Sequence, residues 1–310
     1  MTRIAIIGSG LIGRSWAIVF ARGGHSVALW DPHPPAVEAA LDFIARRLPE
    51  LEAAGLLRGH RPADTVARLA PAATLEEALA GADYVQESGP ERLADKQALF
   101  ARMDRIAAPE AILASSTSTI RTSRFTEGLA GQARCLVAHP VNPPYLIPLV
   151  ELSPAPWTST ETVERTRALM TEVGMVPAVV KREIGGFILN RLQAALLQEA
   201  LFLVEAGIAD PADIDATVKD GLGLRWSFMG PFETIDLNAP EGLADYCTRY
   251  GASFREMMTE SAVPDWSEET IGLLHAAQRS RLPAEEHAAR QEWRDRRLMA
   301  LLAHKNSHPS

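Results

Sequence analysis

The chain has 310 residues, 47% of them hydrophobic and 23% charged, with a formal net charge of -8 at pH 7. This is the composition of a globular protein with one large or two ordinary domains. The acidic balance disfavours nucleic acid or an anionic membrane as partner, no apolar run reaches the roughly 18 residues of a membrane span, and two cysteines are too few for a disulfide framework.

A first strand is expected at about 3–7, so close to residue 1 that no leader peptide is anticipated. It runs into Gly8-Ser9-Gly10-Leu11-Ile12-Gly13, and a helical pattern follows at about 11–23. A second strand at about 26–31 ends on Asp31. Glycines in G-x-G-x-x-G spacing between strand and helix, with an acid about twenty residues on, mark a dinucleotide site. Gly8 permits the tight turn, Gly10 lets a pyrophosphate approach the backbone, and Gly13 lets helix and strand pack closely. Leu11 and Ile12 open the helix whose free N–H groups face the phosphates. Asp31 stands where a carboxylate accepts from a ribose hydroxyl.

Further strands are expected at about 83–87, 112–115, 134–138, 147–152 and 176–180, and helices at about 35–55, 91–107 and 159–174. This alternation predicts a parallel sheet with crossover helices. After Gly185-Gly186 the strand signal ends. Residues 187–206 form a helix that is apolar nearly all round, and so expected to be buried on several sides. Helices follow at about 211–220, 231–237, 240–261, 267–280 and 284–303, with a frayed tail from His304. The predicted fold class is α/β: a Rossmann-type domain over 1–184 joined to an all-α domain over 185–310.

Four polar residues stand out in otherwise simple surroundings. Ser118 follows the strand at 112–115. His139 ends an apolar strand, and Glu151 sits inside another, where a buried acid needs a partner. If these two strands run antiparallel around Asn142-Pro143-Pro144-Tyr145, His139 and Glu151 meet, and the pair reads as a general base held by an acid. Asn190 lies in the first turn of the apolar helix, where a buried amide must be hydrogen-bonded. Its simple reading is a packing contact, and its sharper one a donor to a substrate oxygen. Arg225, in Gly221-Leu222-Gly223-Leu224-Arg225-Trp226, either ties two helices together or binds a carboxylate. Asn142 joins Ser118, Asn190 and Arg225 as a substrate-binding candidate. Seven of the eight histidines fall in turns or polar segments, and no Cys/His cluster has metal-ligand spacing, so no metal is expected. Cys135 and Cys247 read as buried small hydrophobes of a reducing cytoplasm.

Together these segments resemble the L-3-hydroxyacyl-CoA dehydrogenase superfamily over nearly the whole chain. The most specific stretches are Gly8–Trp16, Ser115–Ser118, Ala138–Glu151, Gly185–Leu192 and Gly221–Asn238. The family's catalytic serine, histidine, glutamate and asparagine fall on Ser118, His139, Glu151 and Asn190, and the intervals of 21, 12 and 39 residues agree with the family pattern. The resemblance implies NAD as cofactor and adds Glu91 and Lys96 to its contacts. By composition alone that pair would be an exposed helix start.

The resemblance further implies a homodimer and an NAD-dependent oxidation at C3 of a small hydroxy acid. L-gulonate is the leading expectation, with carnitine or a 3-hydroxyacyl-CoA as alternatives and a non-catalytic structural role more remote. The acyl-CoA branch holds CoA with a lysine after its second strand, and this chain has no lysine between Asp31 and Asp95. The active site is expected between the two domains, in a cytoplasmic enzyme.

Overall fold

The computed structural model describes residues 1–308. The chain divides into two compact units, Met1–Asn190 with Arg294–Asn306, and Arg191–Trp293 with the last residues.

In the first unit eight strands form one sheet: β1 (Arg3–Ile7), β2 (Ser26–Trp30), β3 (Leu69–Pro71), β4 (Tyr84–Glu87), β5 (Ile112–Ser115), β6 (Cys135–Pro140), β7 (Leu149–Pro154) and β8 (Val176–Val179). Their order is β3-β2-β1-β4-β5-β6-β7-β8. Every adjacent pair is parallel except β6–β7. The first six strands follow the dinucleotide-binding order. The sheet is therefore mixed rather than wholly parallel, and its one antiparallel step is the β6–β7 pair that brings His139 opposite Glu151. The three-residue β3 escapes sequence reading because its pattern is too short to repeat.

Alternate residues of β1 face opposite sides of the sheet. Ile4 and Ile6 join one buried cluster with Trp16, Phe20 and Leu48, while Ala5 and Ile7 join another with Phe100 and Phe125. Helices α1 (Leu11–Arg22) and α2 (Pro34–Ala53) cover the first face. Short helices α3 (Pro62–Val66) and α4 (Leu75–Leu79) follow, then α5 (Leu93–Ile106), α6 (Ser123–Thr126) and α7 (Thr160–Glu172). Ser159 caps α7 by accepting from the Thr162 N–H.

Helix α8 (Leu189–Glu205) begins in the first unit and continues into the second. There follow α9 (Pro211–Ala216), a π-helical turn at Thr217–Leu222, α10 (Gly223–Trp226), α11 (Pro231–Asp236), α12 (Leu243–Glu260), α13 (Glu268–Arg281) and α14 (His287–Ser307).

Three expectations need correction. Helix α8 is not buried on several sides: Leu201 is its one buried residue, and Leu192 is 62% exposed. Residues of α9 and α13 gather around Leu201 and Val204, while Leu192, Leu196 and Leu197 stay exposed. The tail does not fray at His304, because α14 continues to Ser307; Pro309 and Ser310 lie outside the described residues. Cys247 is exposed, whereas Cys135 is buried.

Residues 294–306 of α14 belong to the first unit, though they fall in the sequence's helical domain. Met299 is buried in the cluster under α1 and α2, with Leu298 and Leu302 packed against it.

Candidate active site

The glycine loop is built for close approach of a ligand. Gly8 has φ +97°, and a Cβ there would lie 2.8 Å from the Ser88 carbonyl. A Cβ on Gly13 would lie 1.8 Å from the Gly8 carbonyl oxygen. At Gly10 a Cβ would meet nothing within 4 Å, so the space over this residue is open.

Helix α1 begins here without a side-chain cap and without an acid in its first turn, which leaves its N–H groups available to an anion. Ser9 Oγ, in the same loop, is buried without a hydrogen-bond partner among the described residues. Asp31 ties the loop to the end of β2, accepting from the Ser9 N–H at 2.8 Å and the His33 N–H at 2.9 Å. Leu11 is exposed, and Ile12 packs against the core. Open backbone, uncapped helix and adjacent carboxylate fit the diphosphate and ribose of NAD.

His139 and Glu151 are directly opposed across β6–β7. His139 Nδ1 lies 2.9 Å from Glu151 Oε2, and both residues are buried. The other carboxylate oxygen accepts from the Ile188 and Leu189 N–H groups at 2.7 and 2.9 Å, at the start of α8. Burial pushes the Glu151 carboxyl up. The hydrogen bonds from His139, Leu189 and Ile188 outweigh it and hold the group below the ordinary carboxylate value. An ionised Glu151 can only accept, so Nδ1 carries the proton and Nε2 is left as a base.

Asn190 donates from Nδ2 to the Ser118 carbonyl at 2.8 Å, which joins the start of α8 to the loop after β5. Both residues are half-buried. Asn142 is exposed and precedes a cis peptide bond to Pro143. Arg225 lies on α10 in the second unit, exposed and with no ion-pair partner among the described residues.

Glu91 is exposed, as composition alone suggests, but Lys96 is not. Lys96 is 2% exposed and reaches both oxygens of Glu87, at 2.9 and 3.0 Å, with Glu91 3.9 Å away. Glu87, which sequence reading misses, is fully buried and also accepts from Ser115 Oγ and the Gly89 N–H, both at 2.6 Å. Its signal is an acid closing an apolar strand, the same signal that singles out Glu151. Phe187 carries no such signal. It is fully buried at φ +51°, and its ring lies 5.4 Å from that of His139. A positive φ is costly for a bulky residue and clusters at functional sites. Cys135 offers no nucleophile, since burial pushes its thiol up to about 12. Among the described residues no group of three or more His, Cys, Asp or Glu could hold a metal. Nor is any described helix long and apolar enough to cross a membrane.

Comparison with known proteins agrees with this geometry. Residues 3–184 match the model of the 3-hydroxyacyl-CoA dehydrogenase NAD binding domain, and residues 186–272 that of the family's C-terminal domain. The chain is 47% identical over 310 residues to a lambda-crystallin homolog from Bos taurus, spanning 99% of this chain and 96% of that protein. It is 38% identical over 299 residues to an L-carnitine dehydrogenase from Pseudomonas putida, spanning 96% and 92%. The structure of 5-formyl-3-hydroxy-2-methylpyridine 4-carboxylic acid 5-dehydrogenase, an NAD+-dependent dismutase, superposes with TM-score 0.83 at 29% identity and covers 97% of both chains. The chain belongs to the 3-hydroxyacyl-CoA dehydrogenase family and is an NAD-dependent oxidoreductase acting on CH–OH groups.

Proposed function

We propose that this enzyme oxidises the C3 hydroxyl of a small free hydroxy acid, with L-gulonate as first candidate and 3-dehydro-L-gulonate as product. The His139–Glu151 pair carries the reading. The reaction removes a proton from the hydroxyl and a hydride from C3. His139 takes the proton at Nε2. Glu151 fixes the tautomer and stabilises the imidazolium that forms. Ser118 and Asn190 hold the oxygen on which charge develops. NAD, when bound, supplies the hydride acceptor.

In this reading residues 1–184 hold NAD through Gly8, Gly10, Leu11, Ile12, Gly13, Asp31, Glu91 and Lys96. Residues 185–310 supply substrate contacts and the surface for a partner. Arg225 takes the substrate carboxylate and Asn142 a hydroxyl. A guanidinium without a protein anion favours a free acid over a thioester, as does the absence of lysine between Asp31 and Asp95. Carnitine is also a free acid, and the likeness to an L-carnitine dehydrogenase keeps it as the second reading.

The cover for the second unit is a second copy of the chain. Leu192, Phe228, Phe232, Leu237 and Met258 are all more than half exposed, more apolar surface than a soluble monomer ordinarily leaves in water. Sedimentation should give a dimer; a monomer at micromolar concentration would remove this part of the reading.

The deciding assay follows NADH formation with L-gulonate, L-carnitine, 3-hydroxybutyrate and 3-hydroxybutyryl-CoA side by side. The highest kcat/KM should fall on L-gulonate. A preference for the CoA ester would overturn the free-acid reading.

A further inference from the structure

Glu91 is expected among the cofactor contacts, yet one of its oxygens is committed elsewhere. Oε1 receives Thr117 Oγ1 at 2.5 Å, Thr119 Oγ1 at 2.9 Å, the Thr119 N–H at 3.1 Å and the Ser118 N–H at 3.2 Å. Thr117 Oγ1 in turn accepts from the Ile120 N–H at 3.0 Å, so the turn closes on itself through that hydroxyl. Four donors exceed what the lone pairs of one oxygen can serve directionally. The negative charge of the carboxylate is therefore what gathers the turn.

The other Glu91 oxygen faces Lys96 at 3.9 Å. Lys96 is buried and held by both oxygens of Glu87, and Glu87 also receives the hydroxyl of Ser115. Ser115 ends β5 immediately before the turn. The segment from Ser115 to Thr119 is thus gripped by a carboxylate at each end, with one ammonium group between the two carboxylates. Asn190 reaches the same turn from α8, at the Ser118 carbonyl.

We propose that Glu91 is a positioning residue for Ser118, holding the 117–119 turn in place while Lys96, fixed by Glu87, stands behind it. The inference rests on the reading of Ser118 as a holder of the substrate oxygen. Burial pushes the Glu91 carboxyl up, but the Thr117 and Thr119 hydrogen bonds and the Lys96 charge hold it below its ordinary value. The clamp is therefore charged throughout the neutral range. A group that places Ser118 affects the transition state, so its loss lowers kcat whatever it contributes to cofactor affinity.

The test uses the full-length enzyme as Glu91→Ala, Ser118→Ala and the double variant. Glu91→Ala should lower kcat by about tenfold to a hundredfold, the scale of a small misplacement at a reacting centre. Glu91→Ala in the Ser118→Ala background should cost less than about twofold more in kcat, since residues acting as one unit are not additive. Amide hydrogen exchange at residues 118–120 should quicken in Glu91→Ala. Losses that multiply in the double variant, or unchanged exchange at the turn, would each overturn the proposal. Ser118→Ala alone reads the catalytic assignment separately. If it keeps wild-type kcat, that assignment fails, while amide exchange in Glu91→Ala still decides whether Glu91 holds the turn.

Discussion

His139 and Glu151 occupy opposed positions on the sheet's one antiparallel pair, and the same carboxylate that meets the imidazole at 2.9 Å receives the first N–H groups of α8. Register makes this possible. A slip of one residue would turn Glu151 to the opposite face of the sheet, leaving His139 without its acid and α8 without its anion.

His139→Gln should lower kcat by about 10²–10⁴, the usual worth of a general base. NADH affinity, read by fluorescence titration, should stay near wild type, because in the proposed reading the imidazole acts on the substrate hydroxyl. A variant keeping more than about a tenth of kcat would require another base.

Glu151→Gln should destabilise the fold in a pH-dependent way. The folded-state carboxyl is held below its ordinary value, so its stabilisation is complete above the unfolded value near ~4.3. It is lost as pH falls through the lower folded value. The gap between wild-type and variant Tm should therefore be widest near neutrality and narrow below about pH 4. A gap that stays constant with pH would assign the loss to packing instead.

Glu87→Gln should cost about 3–5 kcal/mol in urea unfolding, because it leaves a buried ammonium without its counter-charge. Glu87→Gln with Lys96→Met removes both charges and should recover most of that loss. Equal losses in the single and double variants would mean that the ion pair is not what stabilises this region.

The two later glycines of the loop should respond differently to alanine. A Cβ at Gly13 would overlap the Gly8 carbonyl oxygen, so Gly13→Ala should lower both Tm and NADH affinity. A Cβ at Gly10 enters open space, so Gly10→Ala should fold normally and bind NADH weakly, since the methyl group stands where the diphosphate approaches. Normal NADH affinity in Gly10→Ala would place the diphosphate elsewhere.

The parts legible in the sequence are those with a local pattern. The glycine loop, the alternation of strand and helix, and the meeting of His139 with Glu151 all follow from spacing within a few dozen residues. Glu87 and Lys96 are only nine positions apart, yet their burial depends on how α5 packs on the sheet, which no periodicity records. Phe187 is invisible for another reason: its significance is a backbone angle, and a residue following two glycines gives no sign of it. The exposure of α8 is not legible for a third reason: an all-round apolar pattern calls for cover and does not say what supplies it.

The substrate prediction rests on Arg225. Its guanidinium is exposed on the four-residue helix α10, follows a π-helical turn and has no protein anion as partner among the described residues. An arginine so placed can form two parallel hydrogen bonds to a carboxylate. A thioester has no such charge, so an acyl-CoA would gain little from the contact. Arg225→Met should cost about 1.5–3 kcal/mol of substrate interaction, the scale of hydrogen bonds to charged groups. The loss should appear mostly in KM, with NADH affinity unchanged. The measurement compares L-gulonate, L-carnitine, 3-hydroxybutyrate and 3-hydroxybutyryl-CoA in wild type and variant. Free acids should lose affinity together, and the CoA ester should be nearly indifferent. Free-acid kinetics that survive Arg225→Met unchanged would leave the dehydrogenase intact and the carboxylate contact disproved.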